Sequence, residues 1–289
     1  MIHVYAFFVF LVTTCIGSFL NVVIYRLPNG MSVAKPPSHC PKCDHMLKWY
    51  DNIPIISYIT LGGKCRYCGC KITPRYLIVE LLTGIISTLI FYRFGISFTS
   101  LYGIILFLVL IPISFIDIEH LIIFDRFIII LLVLGVSGIF FNDLNYGNGT
   151  LSIGWLDKLI GAGSIIVFGL IIILLEKLFK KYMMGGGDLK LMFAAGLILG
   201  WQLLALSVGI ASILACIVEI AAKLIKQKKA IPEKAEEQEE KILSDEEAEI
   251  AEFKEQGLFP FGPYLAIGFM IAYVFGLNLL EGWFSLLAL

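Results

Sequence analysis

Two groups of side chains in this 289-residue sequence have the types and spacing to do chemistry. The first is a pair of aspartates. Asp188 follows three consecutive glycines, Gly185, Gly186 and Gly187, and an apolar helix is expected to begin directly after it. Glycine has no Cβ and permits φ > 0, so backbone there can approach an aspartate or a substrate strand closely. Asp117 stands 71 residues upstream, where another apolar run meets its first charges. Two carboxyl groups brought together hold one proton between them. The ionised one can accept a proton from water while the neutral one donates to a carbonyl oxygen, which is aspartyl proteolysis with no metal or covalent intermediate. Taken alone, Asp117 reads equally well as an acidic anchor at the edge of a span. Asp125, eight residues further on, is a rival partner for Asp188.

The second group is cysteine. Cys40-Pro-Lys-Cys43 and Cys65-Arg-Tyr-Cys68 are two CxxC pairs with 21 residues between them. Each pair offers two thiolates on a tight turn, and two such knuckles close a tetrahedral Zn²⁺ site. Four protein ligands leave no open position, so the metal is expected to be structural. Cys70, His39 and His45 are alternative ligands. Disulfides are the rival reading, and a reducing compartment argues against them. Cys15 and Cys216 lie alone in apolar runs, where cysteine behaves as a small hydrophobe.

These residues need elements to hold them, and composition says which. The chain is 58% hydrophobic and only 16% charged, against about 25% charged in soluble domains. It is expected to be an all-α polytopic membrane protein. Spans of roughly 20 apolar residues fit Ile2–Tyr25, Tyr76–Tyr92, Phe98–Ile116, Phe127–Phe141, Leu159–Leu175, a short Leu189–Leu199, Leu203–Ala222 and Phe261–Leu280, about eight in all. The N-terminus has neither a basic leader nor a small-residue cleavage site, so the first span is expected to be retained.

The resulting organisation is a first span (1–26), a cysteine module (27–75), a core with both aspartates (76–225), a charged insert (226–256) and a last span (257–289). With the N-terminus outside, the loops facing the cytoplasm hold 20 of the 22 basic residues and the opposite side keeps only Arg93 and Lys158. By the positive-inside rule the cysteine module, Asp117 and Asp188 are all expected on the cytoplasmic face. The insert holds 11 acidic and 6 basic residues and reads as a solvated helix or loop. The rest of the chain is too weakly basic to suggest nucleic acid. An ion-coupled transporter using both aspartates as a relay would show paired broken spans in its two halves, and only one glycine-interrupted site is present.

Several motifs in one order resemble the type IV prepilin peptidases, membrane aspartyl proteases of the GxGD class. They are GSFLNVVIYRLP (17–28), the CxxC pairs followed by PRYLIVELLTG (74–84), IDIEHLIIFD (116–125), GGGDLKLMFAAGLILG (185–200) and FPFGPYLAIG (259–268). The resemblance implies that Asp117 and Asp188 form the catalytic dyad, with Gly185 and Gly187 completing GxGD and Asp125 in support. It implies cleavage of the leader of prepilins and pseudopilins at the cytoplasmic face of the bacterial inner membrane. It also implies methylation of the new N-terminal residue, usually Phe, from S-adenosylmethionine. Phe124 stands where the family often has proline, and the 226–256 insert is longer than usual. No glycine-rich fingerprint of a Rossmann methyltransferase is present, so methylation rests on the resemblance.

Overall fold

The computed structural model describes residues 1–141, 153–180, 184–229 and 259–287. The Gly/Asn-rich loop after Phe141 and most of the charged insert lie outside these. The described residues contain α-helices, one 3₁₀ turn and no strands: α1 (Ile2–Arg26), α2 (Ile56–Thr60), α3 (Arg75–Phe94), α4 (Phe98–His120), α5 (Asp125–Phe141), α6 (Trp155–Phe179), α7 (Gly186–Lys229) and α8 (Gly262–Leu287).

Six of these helices are long and apolar enough to cross a membrane. α7 is two helical segments meeting at Gly200, whose φ of 76° and ψ of 169° break the helix. α5, at 17 residues, is also strongly apolar. With α5 added and α7 divided, the described residues hold eight apolar helical segments, in line with the eight apolar runs, and the break falls where Gly200-Trp201 was expected to turn. Two of the boundary differences bear on the aspartates. α4 continues past Ile116 to His120, so Asp117 lies inside a helix rather than beyond it. α7 begins at Gly186, two residues before Asp188, because the helical bond from Leu189 N–H reaches back to Gly185 O.

Helices pack where small residues let backbones approach, the usual device in lipid, where apolar burial alone does not drive association. A Cβ on Gly196 of α7 would stand 2.6 Å from the Gly161 carbonyl carbon of α6, so that crossing is glycine against glycine. Gly17 of α1 meets Thr83 of α3 in the same way. α1, α3 and α4 pack together, α5 and α6 each pack on α7, and α8 joins the two groups by packing on both α4 and α7. The bundle therefore places the end of α4, the start of α7 and the start of α8 side by side. Asn21 of α1 donates to Tyr76 O of α3 at 3.0 Å, and the buried Arg26 donates to Ser32 O and Pro37 O, turning the chain out into the cysteine module.

Candidate active site and cysteine module

Asp117 sits in the last turn of α4 and is 5% exposed. Its own carbonyl closes that helix by accepting from Leu121 N–H at 3.0 Å, with Leu121 in the left-handed conformation. Its Oδ2 accepts the N–H of Gly262, the first residue of α8, at 2.9 Å. That N–H belongs to the positive end of a helix, where a carboxylate is favoured. A Cβ on Gly262 would stand 2.8 Å from Oδ2, so only glycine allows this seat. The FPFGPYLAIG motif marked the region, yet nothing local in it says that Gly262 reaches an aspartate 145 residues away.

Asp188 lies in the first turn of α7, within electrostatic reach of Asp117. Its Oδ1 is buried and has no hydrogen-bond partner among the described residues. The structure thus brings both aspartates to the same end of the bundle, close enough for the charge of Asp117 to act on Asp188. The glycines beside Asp188 act differently from the expectation of positive φ: Gly186 and Gly187 are helical. Gly187 instead permits close approach, since a Cβ there would be 3.0 Å from the Ile123 Cβ in the α4–α5 connection.

Asp125 does not join the pair. It opens α5, is exposed, and holds Lys190 Nζ at 2.6 Å. Sequence reasoning missed a second partner of this region. Glu119, two residues past Asp117, accepts from Arg75 Nη1 at 2.7 and 2.5 Å through its two oxygens, tying the start of α3 to the end of α4. An apolar groove of about 640 Å³ opens between α5, α6 and the start of α7. Its wall includes Leu189, the neighbour of Asp188, with Asp125 and Lys190 also lining it.

In the module, Cys40, Cys43, Cys65 and Cys68 present sulfurs that all lie within 4.8 Å of one another. Zn–S bonds of about 2.3 Å set tetrahedral edges near 3.8 Å, and the Cys40–Cys68 separation is 3.9 Å. The two knuckles are built alike. Cys40 O accepts from Asp44 N–H and Cys65 O from Gly69 N–H, with Asp44 and Gly69 both at positive φ. This donor set fits a structural metal. Cys70, 3.6 Å from Cys40, stands at its edge. The two histidines turn to other partners: His39 Nδ1 is 3.0 Å from Pro37 O, and His45 stacks on Tyr67.

Burial pushes the Cys40 thiol up, but the N–H groups of Lys42 and Cys43 and the neighbouring thiols outweigh it and bring it down to about 6. His45 N–H favours the Cys43 thiolate, yet burial and the adjacent Cys68 and Cys40 sulfurs prevail and push it up to about 12. A metal dication would relieve that crowding of charge. Asp51 braces the second knuckle by accepting from Arg66 at 2.7 Å and Tyr67 at 3.3 Å. Burial raises the Asp51 carboxyl, and the hydrogen bonds from Arg66 and Lys48 N–H more than offset this, holding it below the usual carboxylate range.

Comparison with known proteins gives two family matches along the chain. Residues 11–94 match the bacterial peptidase A24 N-terminal domain, and residues 104–220 match the type IV leader peptidase family. A prepilin leader peptidase/N-methyltransferase of Aeromonas hydrophila is 32% identical, over 93% of this chain and 90% of its own length. One of Pseudomonas aeruginosa is 30% identical over 90% and 87%. One of Myxococcus xanthus is 35% identical over 69% of this chain, which spans 58% of that protein's length. No solved structure matches.

Proposed function

Since the chain belongs to the type IV leader peptidase family, we propose that it is a membrane aspartyl endopeptidase that removes the leader of type IV prepilins or pseudopilins, with Asp117 and Asp188 as its dyad. The observation that carries this is two carboxyl groups at one end of the bundle, one oriented by Gly262 N–H and the other with an unpartnered buried oxygen.

The Gly262 bond occupies Oδ2 of Asp117 and leaves Oδ1 for the reacting water. The working dyad carries one proton. The ionised carboxylate takes a proton as water attacks the scissile carbonyl, and the protonated partner gives its own to the carbonyl oxygen. Collapse of the tetrahedral intermediate then breaks the C–N bond: the departing amine takes the proton that the first carboxylate took from water, and one hydroxyl of the intermediate returns its proton to the second, restoring the dyad. The groove whose wall includes Leu189 supports entry of an apolar substrate segment from the side of the bundle. A peptide bond inside a helix is shielded, so the scissile segment must unwind and lie extended beside the start of α7.

We place this site and the cysteine module on the cytoplasmic side of the bacterial inner membrane, on the strength of the lysine and arginine asymmetry. Zn²⁺ held by Cys40, Cys43, Cys65 and Cys68 would hold the two knuckles together, a structural task. The relatives' names support a second activity, N-methylation of the new N-terminus, usually Phe, from S-adenosylmethionine. The described residues contain no strand, and so no strand–turn–helix of the Rossmann kind to hold the donor.

The test is incubation of the purified protein with a prepilin, reading the product's N-terminus by mass spectrometry. Asp117→Asn and Asp188→Asn should each lower cleavage by about 10³-fold or more while the protein stays folded. Normal cleavage by either variant would reject this dyad. An added methyl mass on the product reads the second activity in the same experiment.

A further inference from the structure

Glu80 is a buried acid that the peptidase reading leaves without a task. Its Oε2 accepts the backbone N–H of Ile55 at 2.7 Å, and the Ser18 side chain of α1 lies near enough to favour its charged form. Both helices give the depth of this contact. Glu80 is five residues into α3 and Ser18 is eight residues before the end of α1, so at 1.5 Å per residue their Cα positions lie about 7.5 and about 12 Å inside the respective helix ends. The chain of the cysteine module therefore dips back to the level of the spans at Ile55. Non-helical backbone at membrane depth is tolerated only where its polar groups are satisfied, and Glu80 satisfies this one. Ile55 itself turns at φ 62° and ψ −53°, unusual for a β-branched residue.

Beyond the turn the chain is apolar and uncovered. In α2, Ser57 is buried and donates to Tyr50 O at 2.8 Å, while Ile56 and Ile59 are 59% and 64% exposed. Trp49, in the 3₁₀ turn Trp49–Asn52, is 79% exposed, and tryptophan favours the level of lipid headgroups. We propose that residues 49–60 form a re-entrant foot, with Ile56 and Ile59 seated in the outer acyl-chain region of the bilayer and Glu80 as its tether. The partner of this face is lipid, because the tether holds it within the depth that α1 and α3 already span. The foot would fix the module's distance from the membrane, and it does not depend on the peptidase reading.

The test uses the full chain in phospholipid nanodiscs, with a fluorescent amino acid placed singly at position 56 or 59. Position 174, on the exposed face of α6, serves as the membrane control and position 42 as the aqueous one. Lipids brominated in the acyl chain should quench 56 and 59 as they quench 174, while aqueous iodide should quench only 42. Iodide quenching of 56 and 59 equal to that of 42 overturns the proposal, since the face is then in water. Protection from both quenchers also overturns it, since a peptide or a second copy is then the cover. Glu80→Ala should move the probe at 59 from bromolipid to iodide quenching, and no change in that variant refutes the tether. Should Glu80→Ala not fold, the quenching pattern of the otherwise unaltered chain decides the seating by itself.

Discussion

At the scale of single residues, the candidate site is a matter of which carboxylate oxygen is occupied and by what. Asp117 is oriented by one backbone N–H from a glycine that nothing larger can replace. Gly262→Ala should therefore turn the carboxyl and lower cleavage by about 10²-fold, the usual cost of a misplacement near 1 Å. Unchanged helical content by circular dichroism alongside that loss would show the effect to be local. Asp125 makes the opposite case. Its partner is Lys190, both side chains are more than half exposed, and such pairs contribute about 0.5 kcal/mol or less. Asp125→Asn should keep cleavage within about tenfold of the parent, judged against the much larger loss from the dyad variants. Apart from the family resemblance, Asp117 and Asp125 look alike as sequence; burial distinguishes them, and burial is a property of the neighbours.

At the scale of elements, the site depends on three helix ends being held side by side. Arg75 and Glu119 join the start of α3 to the end of α4, and Arg75 is only 12% exposed. Removing its charge with Arg75→Met should cost about 1 kcal/mol, measured as a lower thermal midpoint, with cleavage reduced because the last turn of α4 carries Asp117. The α6–α7 crossing is less forgiving. Gly196→Leu would drive a side chain into the Gly161 backbone, and overpacking of that kind costs about 3 kcal/mol. Loss of folded yield in detergent is the expected outcome. Glycine at 161 and 196 is visible in the sequence, but an isolated glycine in an apolar run has no local mark of what it faces. Likewise the three glycines before Asp188 suggested unusual backbone angles, whereas Gly187 is small because Ile123 packs against it.

At the scale of the whole molecule, a helical bundle carries a cysteine module between α1 and α3, and the two should be separable. Chelation of the bound metal should make residues 27–75 sensitive to added protease before cleavage of a prepilin is lost; simultaneous loss would show one cooperative unit. Metal-free Cys43 is pushed up to about 12, so it is protonated at neutral pH and metal binding must displace its proton. Zinc affinity should accordingly fall as pH falls, with proton release measurable by titration in weak buffer. The sequence by itself determined that this is an α-helical membrane protein with about eight apolar segments, broken at Gly200, and a four-cysteine cluster after the first. Those are properties of contiguous residues: apolar length sets a span, and CxxC spacing sets a knuckle. Tertiary structure alone decided the pairs Asp117 with Gly262, Asp125 with Lys190, Arg75 with Glu119 and Glu80 with Ile55, which are 145, 65, 44 and 25 residues apart. Such pairs depend on how each helix is rotated and tilted against its neighbours, and that is set by the small residues at the crossings rather than by any pattern within one helix.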